Sequence, residues 1–232
     1  MDGKVALITG GSNGIGEAVA RHLAAQGAHV VLADIDDSRG AEVAEELGGR
    51  FIHTDVSEAA DSAAAVAFAV AEFGGLHLAH LNAGVTSWCS MGDDFDPEAY
   101  RKSMRINLDG VVYGIAAARP AIIGSGGGTI VATASMAGLV AVPFDPIYAA
   151  NKHAVVGLVR SIGAAYAAEG VRVHALCPSF AYTNIIKGSE QTLLDMGFPI
   201  LDAETTGECW YVIAGRQSEP YRFRNAPGPR LD

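Results

Sequence analysis

Tyr148 and Lys152 stand four residues apart at the start of a predicted helix, in the order Tyr-Ala-Ala-Asn-Lys. Side chains at i and i+4 share one helix face, so this spacing sets an ammonium beside a phenol. A free tyrosine, with a pKa of about 10, is a poor base at neutral pH, and a neighbouring cation stabilises its phenolate. Such a pair can take a proton from an alcohol or return one to a carbonyl oxygen. Ser135 lies 13 residues upstream, just after a predicted strand, and can supply a second hydrogen bond to the same oxygen. Each residue also has an ordinary reading. A surface Tyr–Lys pair is common, and a serine after a strand is usually a turn residue. Position along the chain must decide.

A second set of residues suits a phosphate. Thr9-Gly10-Gly11-Ser12-Asn13-Gly14-Ile15-Gly16 follows a short apolar run, Val5 to Ile8, and precedes a helical pattern from Gly14 to Gln26. Between a strand and a helix, glycines allow a tight turn, close approach of backbone to a pyrophosphate, and close helix–strand packing. The spacing is G-x-x-x-G-x-G rather than G-x-G-x-x-G. Asp34 closes the second apolar run, 18 residues beyond Gly16. An acid there can accept from ribose hydroxyls and would repel a 2′-phosphate, which favours NAD over NADP. The alternative is a helix cap, because Asp34-Ile35-Asp36-Asp37-Ser38 is rich in capping residues.

The elements that must position these groups alternate along the chain. Strands are predicted at Val5–Ile8, Val30–Ala33, Phe51–Ile52, Leu76–Leu81, Thr129–Thr133, Val171–Leu176 and Trp210–Ile213. Helices are predicted at 14–26, 41–47, 58–73, from Asp96-Pro97 through Ile122, and at 148–168. Strands that are continuous apolar runs, alternating with helices, imply a parallel sheet covered on both faces. The expected fold is α/β: a Rossmann-like, doubly wound parallel sheet in three layers, as a single domain over 1–232.

Composition narrows the partners. Half of the 232 residues are hydrophobic, enough for one sizeable core. The formal charge of −10 argues against nucleic acid, although backbone N–H groups can still hold a nucleotide's phosphates. Cys89, Cys177 and Cys209 are far apart and form no C-x-x-C, so reduced thiols and no metal site are expected. The N-terminal apolar run is too short for a signal peptide, and no run reaches membrane-spanning length. A cytoplasmic protein with no membrane partner is the expectation.

Taken in order, these pieces resemble the short-chain dehydrogenase/reductase family over nearly all the chain up to Thr183. They are T-G-x-x-x-G-x-G at Thr9–Gly16, Asp34, Asp55-Val56, Asn82-Ala83-Gly84, Asn107, Ser135, Tyr148 with Lys152, and Pro178 with Thr183. The resemblance implies an NAD-dependent oxidoreductase moving a hydride between nicotinamide and an alcohol or ketone. Tyr148 would be the general acid/base, and Ser135 would polarise the substrate oxygen. Lys152 would lower the tyrosine pKa and bind the nicotinamide ribose, and Asn107 would hold a proton-relaying water. The cofactor would be bound by Gly10, Asn13, Gly14, Ile15 and Gly16, by Asp34 and by Asp55 and Val56 at the adenine. Asn82, Ala83 and Gly84 would line its path, and Pro178 and Thr183 would hold the carboxamide. From the residues alone, Asn107 is equally a packing residue and Asp55 equally a helix cap. The resemblance also implies a homodimer or homotetramer, paired through alanine-rich helices around 115–122 and 155–168.

Val85, Met136, Val142, Phe144 and Phe180 are the expected substrate contacts. They are apolar, which points to a hydrophobic secondary alcohol or its ketone. An NADH-dependent 3-oxoacyl-type reductase would use the same residues, and so would a non-catalytic NAD(H)-binding regulator in part. Three features depart from the family. Ser179 stands where glycine is usual, and the tail 221–232 lacks an Asp-Gly-Gly ending. The lid region 184–206 has only 23 residues, with Ile185, Ile186, Leu193 and Leu194 able to form one short helix. Either the lid is shortened and open, or the sequence lacks a stretch there. A parallel crossover into the last strand would be tight.

Overall fold

The structure, a computed structural model, describes residues 1–178, 191 and 210–213. Thr183, Phe180, the lid region 184–206 except Gln191, and the tail 221–232 therefore lie outside the described residues.

Strands β1 (Val5–Thr9), β2 (His29–Asp34), β3 (Arg50–His53), β4 (Leu78–Leu81), β5 (Gly128–Thr133), β6 (Val171–Cys177) and β7 (Trp210–Ile213) form one sheet in the order β3-β2-β1-β4-β5-β6-β7. The first six are parallel. The strand order reverses between β1 and β4, and the crevice at such a switch point is where open α/β sheets bind ligands. The seventh strand corrects the expectation of a parallel crossover. It runs antiparallel to β6, with Cys177 opposite Trp210 and His174 opposite Ile213. The chain thus re-enters the sheet at the end where β6 leaves it, and no passage to the opposite end is required.

Alternation along β1 explains its unbroken apolar run. Val5 and Leu7 join one core with Val31, Ala33, Ile130 and residues of three helices, while Ala6 and Ile8 join a second with Val30 and Leu32. The first core packs α3 (Ala59–Phe73), α5 (Gly110–Gly124) and α6 (Pro146–Ala167); the second packs α1 (Gly14–Ala25) and α2 (Asp37–Glu46). Both sheet faces are covered, so neither tolerates polar alternation. On α1 the buried stripe is Gly16, Ala20 and Leu23. Ile15 instead points its residue into the crevice.

Local signals set the helix starts. Asp96 accepts from the backbone N–H groups of Glu98 and Ala99, with Pro97 following, and opens α4 (Pro97–Met104). A wider turn at Arg105–Asp109, with π-type bonding, joins α4 to α5 and carries Asn107. Such turns often mark functional positions. Pro97–Gly124 thereby makes one 28-residue helix that by length and composition alone would be able to cross a membrane. In this fold its Gly110, Val111, Gly114, Ile115, Ala118 and Ile122 are buried, packed toward α3, β4 and β5.

Candidate active site

The sites expected from the sequence converge on one cleft of about 980 Å³ at the carboxyl ends of the strands. Gly10, Asn13, Gly14, Ile15 and Asp34 line it, with Asp55, Val56, Asn82, Ala83 and Gly84. Val85, Ser135, Met136, Val142, Phe144, Tyr148, Lys152 and Pro178 also line it, as do Glu98, Arg101, Lys102 and Arg105, which the sequence does not single out. Asn107 and Gly16 lie just behind this lining.

The glycine turn is shaped for close approach. Gly14 has φ +54°, a conformation that side chains disfavour, and a Cβ on Gly16 would fall 2.0 Å from the carbonyl oxygen of Gly10. Nothing larger than glycine fits beneath the loop. The backbone N–H of Ser12 donates to Asp34 Oδ2 at 3.0 Å, which ties the loop to the end of β2. Asp34 Oδ1 accepts from the N–H groups of Ile35 and Asp36. The alternative reading of Asp34 as a helix cap goes to its neighbour: Asp36 accepts from Arg39 N at 3.0 Å and caps α2. Asp55 does make a turn, accepting from Ser57 N at 2.9 Å just before α3, and it still lines the cleft.

Asn82 pins the switch point. Its N–H donates to Thr9 Oγ1 at 2.9 Å and its amide donates to Gly10 O at 3.3 Å. Its Oδ1 accepts from Thr133 Oγ1 at 3.1 Å. One residue, through its backbone N–H and its amide, so joins the ends of β1, β4 and β5. Thr9 belongs to the glycine-turn motif, whereas no motif names Thr133 or the buried His80, which contacts Thr133 Oγ1 at 2.9 Å; only the strand order brings these two to the site.

Ser135, Tyr148 and Lys152 meet at the other end. Ser135 leaves β5, and its hydroxyl accepts from Ala137 N at 3.1 Å while its proximity favours the ionised Tyr148 phenol. Lys152, 2% exposed, donates from Nζ to Thr133 O at 2.8 Å, with Nζ 5.6 Å from the centre of the Tyr148 ring. Burial pulls the Lys152 ammonium down to about 8. Burial also pushes the Tyr148 phenol up to about 12; the Ser135 hydroxyl opposes this and the Asp145 carboxylate adds to it. The expected depression of Tyr148 by Lys152 is therefore not what the fold alone produces. Desolvation of the phenolate is the largest cause, and Lys152, itself desolvated and bonded to a carbonyl, is not among the groups that lower it.

Asn107 is fully buried, and both ends of its amide engage Val85: Oδ1 accepts from the N–H and Nδ2 donates to the carbonyl, each at 2.8 Å. Its side chain holds the segment after β4 in place. Of the expected substrate contacts, Val85, Met136, Val142 and Phe144 line the cleft, and Phe180 lies outside the described residues. Trp88 and Asp145 line it too, though the sequence reading passed over both.

The profile of the family described as short chain dehydrogenase matches residues 4–193. Cyclohexanol dehydrogenase of Acinetobacter sp. (strain SE19) is 38% identical over 228 residues, covering 96% of this chain and 91% of that protein. Borneol dehydrogenase of Lavandula x intermedia is 32% identical over 223 residues, covering 94% and 86%. A short-chain dehydrogenase/reductase of Burkholderia phymatum, solved in complex with NAD, superposes with a TM-score of 0.77 at 35% identity, covering 82% of this chain and 70% of that one. With the sheet order, the glycine turn and the Tyr148–Lys152 helix already in view, these matches show that the chain belongs to the short-chain dehydrogenase family.

Proposed function

We propose that this oxidoreductase uses NAD to interconvert a hydrophobic, ring-bearing secondary alcohol and its ketone, with Tyr148 as general acid/base. One observation carries the reading. A single cleft has a glycine cradle and an acid at one end and Ser135, Tyr148 and Lys152 at the other, with Val85, Met136, Val142 and Phe144 as apolar wall and Glu98, Arg101, Lys102 and Arg105 also lining it.

The residues fit a dinucleotide. The cradle that a Cβ at Gly16 would block suits a pyrophosphate at the start of α1, and Asp34 stands at the strand end where a ribose would lie. The NAD complex of the Burkholderia phymatum relative supports this assignment. Bound there, the nicotinamide supplies the redox chemistry as acceptor or donor of hydride. The chain supplies the rest. Ser135 and Tyr148 hold the substrate oxygen between two hydroxyls, and Tyr148 Oη takes or returns its proton. Lys152 binds the nicotinamide ribose and places positive charge near the phenol. Asn107 supports the segment through Val85, and in the working enzyme it would hold a relay water. Pro178, whose carbonyl accepts from Met136 N at 2.9 Å, would hold the carboxamide; Thr183, its expected second partner, lies outside the described residues.

The ring follows from the wall residues and from cyclohexanol and borneol, the cyclic alcohols in the names of two relatives. The same proposal includes a cytoplasmic location, one catalytic domain spanning 1–232, and a homodimer or homotetramer. Cyclohexanol supplied with NAD or with NADP, followed by absorbance of the reduced cofactor, tests it. Turnover with NAD is expected; no turnover with either cofactor, by protein that still binds NADH, refutes it.

A further inference from the structure

Trp88, on the segment between β4 and α4, has no part in the chemistry above. Its residue lines the cleft while staying 49% exposed, and it is the one non-glycine residue among those described with positive φ, at +46°. A bulky side chain disfavours that conformation, so its surroundings must impose it. They do so through Asp145. This carboxylate is 2% exposed and accepts from the N–H of Ser87 at 3.0 Å, the N–H of Trp88 at 2.9 Å and the hydroxyl of Ser87. It also accepts from the N–H of Tyr148 at 3.1 Å, capping the helix that carries the acid/base. A buried carboxylate is tolerated only when several donors satisfy it, and here they join two segments far apart in sequence. One carboxylate thus fixes Trp88 relative to Tyr148.

The indole held in this way lies 6.2 Å from the ring of Phe144, tilted by 31°. A half-exposed aromatic on a disfavoured backbone adds little to the core, whereas two rings at a cleft mouth offer apolar area to a ligand. We propose that Trp88 is a specificity-determining residue: with Phe144 it forms an aromatic wall for the substrate's ring, and Asp145 is the positioning residue that locks the wall to the Tyr148 helix. The inference rests on the alcohol-oxidising reading and names the side chain that makes it selective for rings.

The test compares cyclohexanol with 2-propanol, whose carbons are too few to extend from the reacting oxygen to such a wall. Trp88→Ala is expected to lower kcat/KM for cyclohexanol about ten-fold, mainly through KM, and to leave 2-propanol nearly unchanged. Trp88→Phe retains most of the ring preference. Asp145→Asn raises KM for cyclohexanol relative to 2-propanol, a split that a purely structural defect would not produce. NADH binding, read by cofactor fluorescence, stays unchanged in the Trp88 variants. Equal losses for the two alcohols, or no loss for cyclohexanol in Trp88→Ala, overturn the proposal. If the unaltered enzyme oxidises neither alcohol, the functional reading itself falls and takes the inference with it.

Discussion

Lys152 Nζ donates to the carbonyl oxygen of Thr133 at 2.8 Å, although the sequence spacing pairs it with Tyr148. The cation is thereby held at the end of β5, beside Ser135 and under the cleft, rather than swinging freely on its helix. A buried ammonium bonded to strand β5 is a fixed charge that a substrate oxygen and a ribose can both use.

From this arrangement Tyr148→Phe is expected to cost 10²- to 10⁴-fold, roughly, in alcohol oxidation while NADH affinity stays within a few-fold. Steady-state rates and fluorescence titration read the two separately. Lys152→Met should lose rate and also weaken NADH binding, because on the proposed reading it removes the ribose partner as well as the charge. A Tyr148→Phe enzyme with undiminished turnover would remove the phenol from the mechanism.

The phenol held up at about 12 gives the pH dependence a sign. Oxidation needs the phenolate, and below its pKa that fraction grows about ten-fold per pH unit. The kcat/KM for alcohol oxidation should therefore climb with pH from 6 to 8, with a logarithmic slope of about one. Ketone reduction needs the neutral phenol and should not climb. A pH–rate profile in each direction checks this, and a flat oxidation profile would contradict it. Lys152, pulled down to about 8, begins to lose its charge at the top of that range, so the slope should fall there.

Much of this site could be read before the fold was known, for a physical reason. The glycine turn, the i, i+4 pair and an acid at a strand end are local constraints, and local constraints leave spacing in the sequence. Trp88 and Asp145 left none. They meet across 57 residues, and an aspartate before Pro146 reads only as a cap. The same holds for His80, which reads as one member of an apolar strand and proves to be a polar link to Thr133. The antiparallel direction of β7 is not legible in the sequence, because strand identity is a local property and strand direction is not. Asn107 sits in a turn whose wider bonding no residue pattern announces.

Cofactor choice should turn on Asp34 and Ile35. Ile35 is 66% exposed and lines the cleft beside Asp34. Replacing both, as Asp34→Ser with Ile35→Arg, removes the charge that repels a 2′-phosphate and adds one that binds it. The ratio of kcat/KM for NADP over NAD should rise by about 100-fold. The exchange has a structural cost, because Ser12 N loses its acceptor and a buried unpaired N–H destabilises by about 1–3 kcal/mol. Kinetics with both cofactors, beside thermal melts, separate the two effects. An unchanged ratio would remove Asp34 from the ribose site.

His80 should make the fold sensitive to acid. Thr133 Oγ1 has one hydrogen and gives it to Asn82 Oδ1, so His80 Nε2 must be the donor to Thr133. Its Nδ1 is then an acceptor, buried without a hydrogen-bond partner. Burial pulls the imidazole down from 6.5 to about 4. The unfolded chain therefore binds the proton more readily between these values. Stability is fully present above pH 6.5 and is lost as pH falls through the folded pKa near 4. At pH 5 the loss from this one group is about 2 kcal/mol relative to pH 7. Urea unfolding at the two pH values measures it, and His80→Gln should shrink the difference by that amount. His77 and His174 are also pulled down by burial and act in the same sense, but both remain in the variant, so the comparison isolates His80. An identical pH dependence in the two proteins would mean that His80 takes up its proton without disturbing the Thr133–Asn82 link.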